Sequence, residues 1–183
     1  MNQWKQKRSV MRRYDLTAEM YDARYAEEQE AKYKVVLAEL NVSGMVLDVG
    51  CGSGLLFSHV SAQAEEVVGV DVSGKLLLKA RECTRNFRNE HVVQADADHL
   101  PFRSKLFAAV FAFTVLQNMP KPTETLIELK RTAKRDGIIV VSGLKKAFSL
   151  EDFGAVLQQA GLRVIYIKDD SHLKCYVAVS VQE

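Results

Sequence analysis

The sequence lacks the features that would mark a membrane-spanning, disulfide-built or disordered protein. Its longest nearly unbroken apolar run, Leu106 to Leu116, falls well short of the roughly 20 residues that a membrane-spanning helix needs, so no transmembrane segment and no membrane partner are expected. The three cysteines, Cys51, Cys83 and Cys175, are odd in number and far apart. That excludes a disulfide framework and a Cys-x-x-Cys metal site, and no metal is expected. Only three prolines and ten glycines occur in 183 residues, with no low-complexity tract, which excludes a collagenous or linker-dominated chain. The basic N-terminus is followed by no apolar stretch or small-residue cleavage site, so a secretory signal is not expected and the cytoplasm is the expected location.

What is present suits one packed core: 48% hydrophobic and 26% charged residues, in a length typical of a single domain. The net charge of +2 says nothing about an anionic partner, but its distribution is uneven. Lys5, Lys7, Arg8, Arg12 and Arg13 all precede the first acid, Asp15, whereas Glu27, Glu28 and Glu30 cluster later. Such a basic run, with Trp4 beside it, suits either RNA phosphates or a solvated arm. A second basic group, Lys130, Arg131, Lys134 and Arg135, is explained by the dipole at a helix end.

Val36, Leu37 and Leu40 recur at helical spacing, which predicts a helical segment over about Leu16 to Asn41, ended by Gly44. Beyond it, short apolar runs alternate with helical stretches. Strands are predicted at Met45 to Val49, Glu66 to Val70, Val92 to Gln94, Ala108 to Phe113 and Ile138 to Val141. Their continuous hydrophobicity predicts parallel strands covered on both faces. Helices are predicted near Leu55 to Ala64, Gly74 to Thr84 (capped by Ser73), Glu124 to Ala133 (followed by Gly137) and Leu150 to Ala160 (capped by Ser149). Strand-like Leu162 to Lys168 and Cys175 to Val181 are separated by too few residues for a parallel crossover, which takes about a dozen. They should form an antiparallel hairpin at the sheet edge.

The first strand runs into Asp48-Val49-Gly50-Cys51-Gly52-Ser53-Gly54 before a helix. Glycines there permit sharp turning and close backbone approach to a ligand, and the position beyond a strand's C-terminal end is where open α/β sheets bind ligands. Asp71 closes the second strand, where an acid can accept both hydroxyl protons of a ribose. A dinucleotide fingerprint would need glycine at position 55, which is leucine.

These residues resemble the class I S-adenosylmethionine-dependent methyltransferases, particularly the type 11 group. Val46 to Gly54 is similar to the family's first motif, Val68 to Ser73 to its second-strand motif, and Gln94 to Phe102 to its third. The likeness spans about residues 14 to 181. It implies an α/β, three-layer, Rossmann-like fold: a seven-stranded, mostly parallel sheet with an antiparallel last strand, plus an N-terminal helical cap. Residues 1–44 would form the basic arm and cap, and residues 45–183 the S-adenosylmethionine-binding domain. The resemblance further implies that Asp48 and the loop of Gly50, Cys51, Gly52 and Gly54 hold the cofactor's methionine end, and that Asp71 takes its ribose. Val72 would pack on the adenine, Asp96 and the Ala97 backbone would meet its amino edge, and Tyr14, Tyr21 and Tyr25 would close over it. Phe113 and Thr114 would border the reactive methyl group.

No catalytic base is selected: His59, His99 and Asp98 are considered, and spacing favours none. The Asn/Asp-Pro-Pro-aromatic sequence common among amide and exocyclic-amine methylators is replaced by Thr114-Val115-Leu116-Gln117-Asn118. Because little chain is left after the cofactor fold, an open cleft is expected, which favours RNA or protein as the methyl acceptor over a small metabolite. An activating subunit or homo-oligomer would supply what the chain lacks. The alternative class is a non-catalytic subunit that keeps the fold to bind a partner.

Overall fold

The computed structural model describes residues 2–85 and 87–183. Strands β1 (Gly44–Val49), β2 (Ala64–Asp71), β3 (Glu90–Gln94), β4 (Phe107–Ala112), β5 (Ala133–Leu144), β6 (Leu162–Lys168) and β7 (Cys175–Gln182) form one sheet in the order β3-β2-β1-β4-β5-β7-β6. The first five pair in parallel, and β7 runs antiparallel between β5 and β6. Strand order reverses beside β1, so the ends of β1, β2 and β4 open onto a crevice.

Helices α1 (Gln3–Thr17), α2 (Tyr21–Leu37), α3 (Phe57–Val60), α4 (Gly74–Thr84), α5 (Pro122–Thr132) and α6 (Leu150–Gln159) complete the fold. The unbroken apolar runs are explained by two cores. Leu47, Val49, Val110 and Ile139 pack with Leu126 and Leu129 of α5 and Phe153 and Leu157 of α6. Their neighbours along the same strands, Val46, Ala109, Phe111 and Val140, pack with Tyr33 and Val36 of α2 and Phe57 and Val60 of α3. A strand buried on both faces has no reason to alternate. Ser73 and Ser149 cap α4 and α6, their hydroxyl oxygens accepting the amides of Leu76 at 3.2 Å and Asp152 at 3.0 Å.

Several expectations about local structure are corrected. The helix expected over Leu55 to Ala64 is the single turn α3, because the glycine loop occupies its start and β2 begins at Ala64. Gly137 does not end a helix: it lies inside β5, where a Cβ would come within 3.0 Å of the carbonyl oxygens of Lys134 and Phe107. The N-terminal residues are not a solvated arm. They form α1, and the segment expected as one helix from Leu16 is interrupted by a 3-10 turn at Ala18–Met20 before α2. Among the second basic group, Arg131 pairs with Glu128 at 2.7 Å and Lys130 donates to the Gly161 carbonyl at 3.2 Å, so both tie structure together. Among the described residues, no helix is long and apolar enough to cross a membrane.

Gly69 shows how closely the layer behind the crevice is packed. A Cβ there would stand 2.4 Å from the Phe57 ring and 2.8 Å from the Cys51 sulfur. Gly69→Ala is therefore expected to lower the unfolding free energy by about 1–3 kcal/mol, the usual cost of overpacking. Urea denaturation of Gly69→Ala and of Gly69→Ala/Cys51→Ala checks this, the second substitution recovering part of the loss.

Candidate functional site

The glycine loop leaves β1 by turning back on β2, with the amides of Gly50 and Cys51 donating to the Val70 carbonyl at 2.7 and 3.0 Å. Gly50 and Gly52 hold φ of +73° and +57°, a region closed to most side chains. Space forbids substitution as well: a Cβ on Gly50 would lie 2.5 Å from Val115, and one on Gly52 3.0 Å from the Tyr21 hydroxyl. Asp71 ends β2 facing this loop. Its buried carboxylate accepts the Gly52 amide at 3.0 Å and the Ser73 amide at 2.7 Å, so one acid ties the loop after β1 to the start of α4.

A largely apolar cleft opens over these strand ends. Of the residues implied by the resemblance, Tyr14, Tyr21, Gly50, Asp71, Val72, Asp96, Ala97, Phe113 and Thr114 line it. Tyr25, Asp48, Cys51, Gly52 and Gly54 do not. Tyr25 packs behind Tyr21, ring centroids 5.1 Å apart, and Cys51 lies under the sheet against Gly69. Sequence reasoning missed Lys7, Val10, Leu76, Asn118 and Met119, which also line the cleft. Ser73 gave notice of the α4 start beside Leu76, whereas nothing in the sequence marked Lys7 among five clustered cations.

α1 and α2 are fastened over the cleft by side chains from both ends. Lys7, 7% exposed, bridges Asp96 at 2.7 Å and Asp98. Asp15 accepts the Ser73 hydroxyl at 2.6 Å and the Lys75 amide at 3.2 Å, and Asp22 accepts the Ser53 hydroxyl. Asn118 receives Arg13 at 2.8 Å and donates to the Tyr14 hydroxyl at 3.3 Å. α1 therefore lies across part of the cleft, which stays open to solvent elsewhere.

Charge inside the site is poorly solvated. Burial, and then the neighbouring Asp71, push the Asp48 carboxyl up to about 8, and it accepts no side-chain or amide hydrogen bond among the described residues. Burial also raises Asp71, against the pull of its amide donors. Asp96 is the opposite case: burial resists its charge, but Lys7 and the Asp98 amide hold it below the usual carboxylate range. Burial raises the Tyr21 hydroxyl, reinforced by Tyr14 and the acids beneath it, keeping it neutral.

At the end of β4, Thr114 adopts φ of +63°, an outlier for a β-branched residue. Its amide donates to the Ser142 hydroxyl at 2.8 Å, and its own oxygen accepts from Lys32 at 2.9 Å and Gln29 at 3.3 Å. Lys32 is fully buried and also pairs with Glu28 at 3.1 Å. The three groups considered as bases, His59, His99 and Asp98, all lie off the cleft lining. His59 pairs with Glu30 at 2.7 Å, His99 is 83% exposed, and Asp98 is taken by Lys7 and Thr125.

The family described as "Methyltransferase domain" matches residues 47–141, just over half of the chain. This chain belongs to that family, the S-adenosylmethionine-dependent methyltransferases. It is 31% identical over 144 residues to malonyl-[acyl-carrier protein] O-methyltransferase of Marinomonas sp. (strain MWYL1), covering 76% of this chain and 53% of that one. It is 34% identical to demethylmenaquinone methyltransferase of Staphylococcus saprophyticus over 62% of this chain and 51% of the relative. The chain thus spans about half the length of these relatives. Magnesium protoporphyrin IX methyltransferase from Synechocystis PCC 6803, solved with bound SAM, has the same fold: TM-score 0.77 at 19% identity, covering 97% of both chains.

Two predictions follow from the charges of this methyltransferase domain. Asp48 stays protonated in the fold up to about 8 but ionises near ~4 when unfolded, so the native state binds the extra proton between those values. Its contribution to stability is complete below ~4 and is lost as pH rises through about 8. Calorimetric Tm should decline from pH 5 to 8, and Asp48→Asn should flatten that decline. Asp96 has the opposite sign: its stabilisation is present above ~4 and is lost as pH falls through its lowered pKa. Lys7→Met should cost on the order of 2 kcal/mol at pH 7, below the figure for fully buried pairs because Asp96 keeps some solvent contact. Urea unfolding at pH 7 and pH 3 checks it, the difference between wild type and variant shrinking in acid.

Proposed function

We propose that this chain transfers the methyl group of S-adenosylmethionine to an acceptor, with the donor held in the cleft beneath α1. The single observation that carries the proposal is Asp71. Its carboxylate is fixed by two amides at the end of β2 beside a glycine loop, and two amide bonds leave lone pairs of both oxygens free for a ribose diol. The remaining donor set suits the same group. Asp48, beside Asp71 but off the cleft lining, is a buried carboxyl with no hydrogen-bonding partner among the described residues, and its charge would be balanced by a cationic methionine end nearby. Val72, Leu76 and Ala97 give an adenine flat apolar walls. Asp96 accepts Lys7 on both oxygens and the Asp98 amide on one, and with His99 Nδ1 3.6 Å from the other oxygen it keeps at most one of about four acceptor sites for an amino edge.

When bound, S-adenosylmethionine supplies a methyl group already activated by a sulfonium sulfur. The chain's own residues then have to position the acceptor and exclude water. Tyr14 and Tyr21 pack edge to face, centroids 6.1 Å apart, over the glycine loop, and Phe113 walls the opposite side against Tyr33 at 5.1 Å. Tyr25 supports Tyr21 from behind rather than touching the donor. Holding two reactants in line in such a site accounts for much of a transfer rate.

For the acceptor, we infer a small or carrier-borne molecule. Two relatives are named for malonyl-[acyl-carrier protein] and demethylmenaquinone. The alternative of RNA gains nothing from Lys7, which is buried on Asp96 and Asp98, although Lys5, Arg8, Arg12 and Arg13 of the basic run stay exposed. Titration calorimetry with S-adenosylmethionine tests the donor site. Binding is expected, weakened about 10- to 100-fold by Asp71→Asn, the range for losing charged hydrogen bonds. Absence of binding by the wild type would overturn the proposal.

A further inference from the structure

Thr114 is a β-branched residue held in a left-handed conformation where the end of β4 lines the cleft, the side on which the donor reading puts the methyl group, and its hydroxyl has an unusual set of partners. A hydroxyl carries one proton and two lone pairs. The Lys32 ammonium, which can only donate, takes one lone pair at 2.9 Å, and the Gln29 amide nitrogen takes the second at 3.3 Å. No acceptor for the Thr114 proton exists among the described residues, while Thr114 itself is half-exposed to the cleft. The hydroxyl is therefore an obligate donor aimed away from its two donors.

The charge behind it has the same sense. Lys32 is completely buried and pairs with Glu28 at 3.1 Å, and Glu28 is shared with the exposed Lys174 at 3.2 Å, so the ammonium at 2.9 Å is the charge nearest the Thr114 hydroxyl. An ammonium hydrogen-bonded to a hydroxyl polarises that O–H, and the effect is strong where water is excluded. A cationic or hydrogen-donating acceptor would face a proton and a positive charge. An anionic oxygen would meet both favourably.

We infer that the methyl acceptor presents a carboxylate, one oxygen of which is held by the Thr114 hydroxyl, with Lys32 as the positioning residue behind it. A carboxylate fits better than a phenolate because the held oxygen and the attacking oxygen are then different atoms, whereas donation to a lone phenolate oxygen would blunt the nucleophile itself. The step balances without a base. The second carboxylate oxygen forms the new O–C bond as the methyl–sulfur bond breaks, its electron pair remaining on sulfur, so the products are a neutral methyl ester and S-adenosylhomocysteine. No proton moves, in keeping with a cleft lined by none of the three candidate bases.

The inference rests on the donor reading above, and the test separates the two. The amide resonances of the S-adenosylhomocysteine-loaded protein, Thr114 included, are followed by NMR during titration with octanoate and, separately, octylamine. Octanoate is expected to bind at least about tenfold more tightly, as for a hydrogen bond to a charged group. Thr114→Val should abolish the preference and Thr114→Ser restore it. Lys32→Met should abolish it while leaving affinity for S-adenosylhomocysteine within about twofold, a selectivity change that mere loosening of the fold would not produce. Should Lys32→Met fail to fold, the Thr114 pair of variants decides. Equal or tighter binding of octylamine, or an octanoate preference that survives Thr114→Val, would overturn the carboxylate assignment. Failure of S-adenosylhomocysteine to bind would instead overturn the donor site.

Discussion

The carboxylate of Asp71, fixed by the amides of Gly52 and Ser73, is the contact on which the geometry of the cleft depends. It joins three pieces that are separate in sequence: the loop leaving β1, the end of β2 and the first turn of α4. Each has backbone donors that need an acceptor where the sheet stops, and one buried acid satisfies two of them. Burial of that acid has an electrostatic consequence. Asp48, one strand away and equally buried, cannot ionise freely beside it, so the pair resists holding two negative charges.

The covering of the cleft is a second consequence of the same crowding of polar ends. Ser73 serves α4 twice, accepting the Leu76 amide and donating to Asp15 of α1, so the cap of one helix also anchors another. The Lys7 pairing with Asp96 and Asp98 fixes the start of α1, and Asn118 receives its end. A helix with few buried apolar residues is thus held mainly by polar contacts. Such attachments open locally at less cost than a packed core, which suits an element lying over a ligand cleft.

How much of this could be read beforehand differed by element. The buried strands, the helix caps and the reversed β7 were legible, since continuous hydrophobicity, Ser-x-x signals and a short connection each have a local physical cause. Gly137 misled because a glycine after a helix and a glycine in a crowded strand look alike in one dimension; the carbonyl oxygens that exclude its Cβ come partly from another strand. The loop from Gly50 to Gly54 was recognisable, but only the folded chain shows that Gly50 alone of its residues lines the cleft.

By itself the sequence determined the sheet, its parallel character with one reversed strand, and the place where a ligand-binding loop must sit, because periodicity, turn chemistry and connection length act over a few residues. Tertiary structure alone decided which charges are free. Lys7 and Asp96 are 89 residues apart and Lys32 and Thr114 are 82 apart, and no local pattern records such pairs. They form because burial makes an unpaired charge costly, so each buried cation must find a partner wherever the fold delivers one.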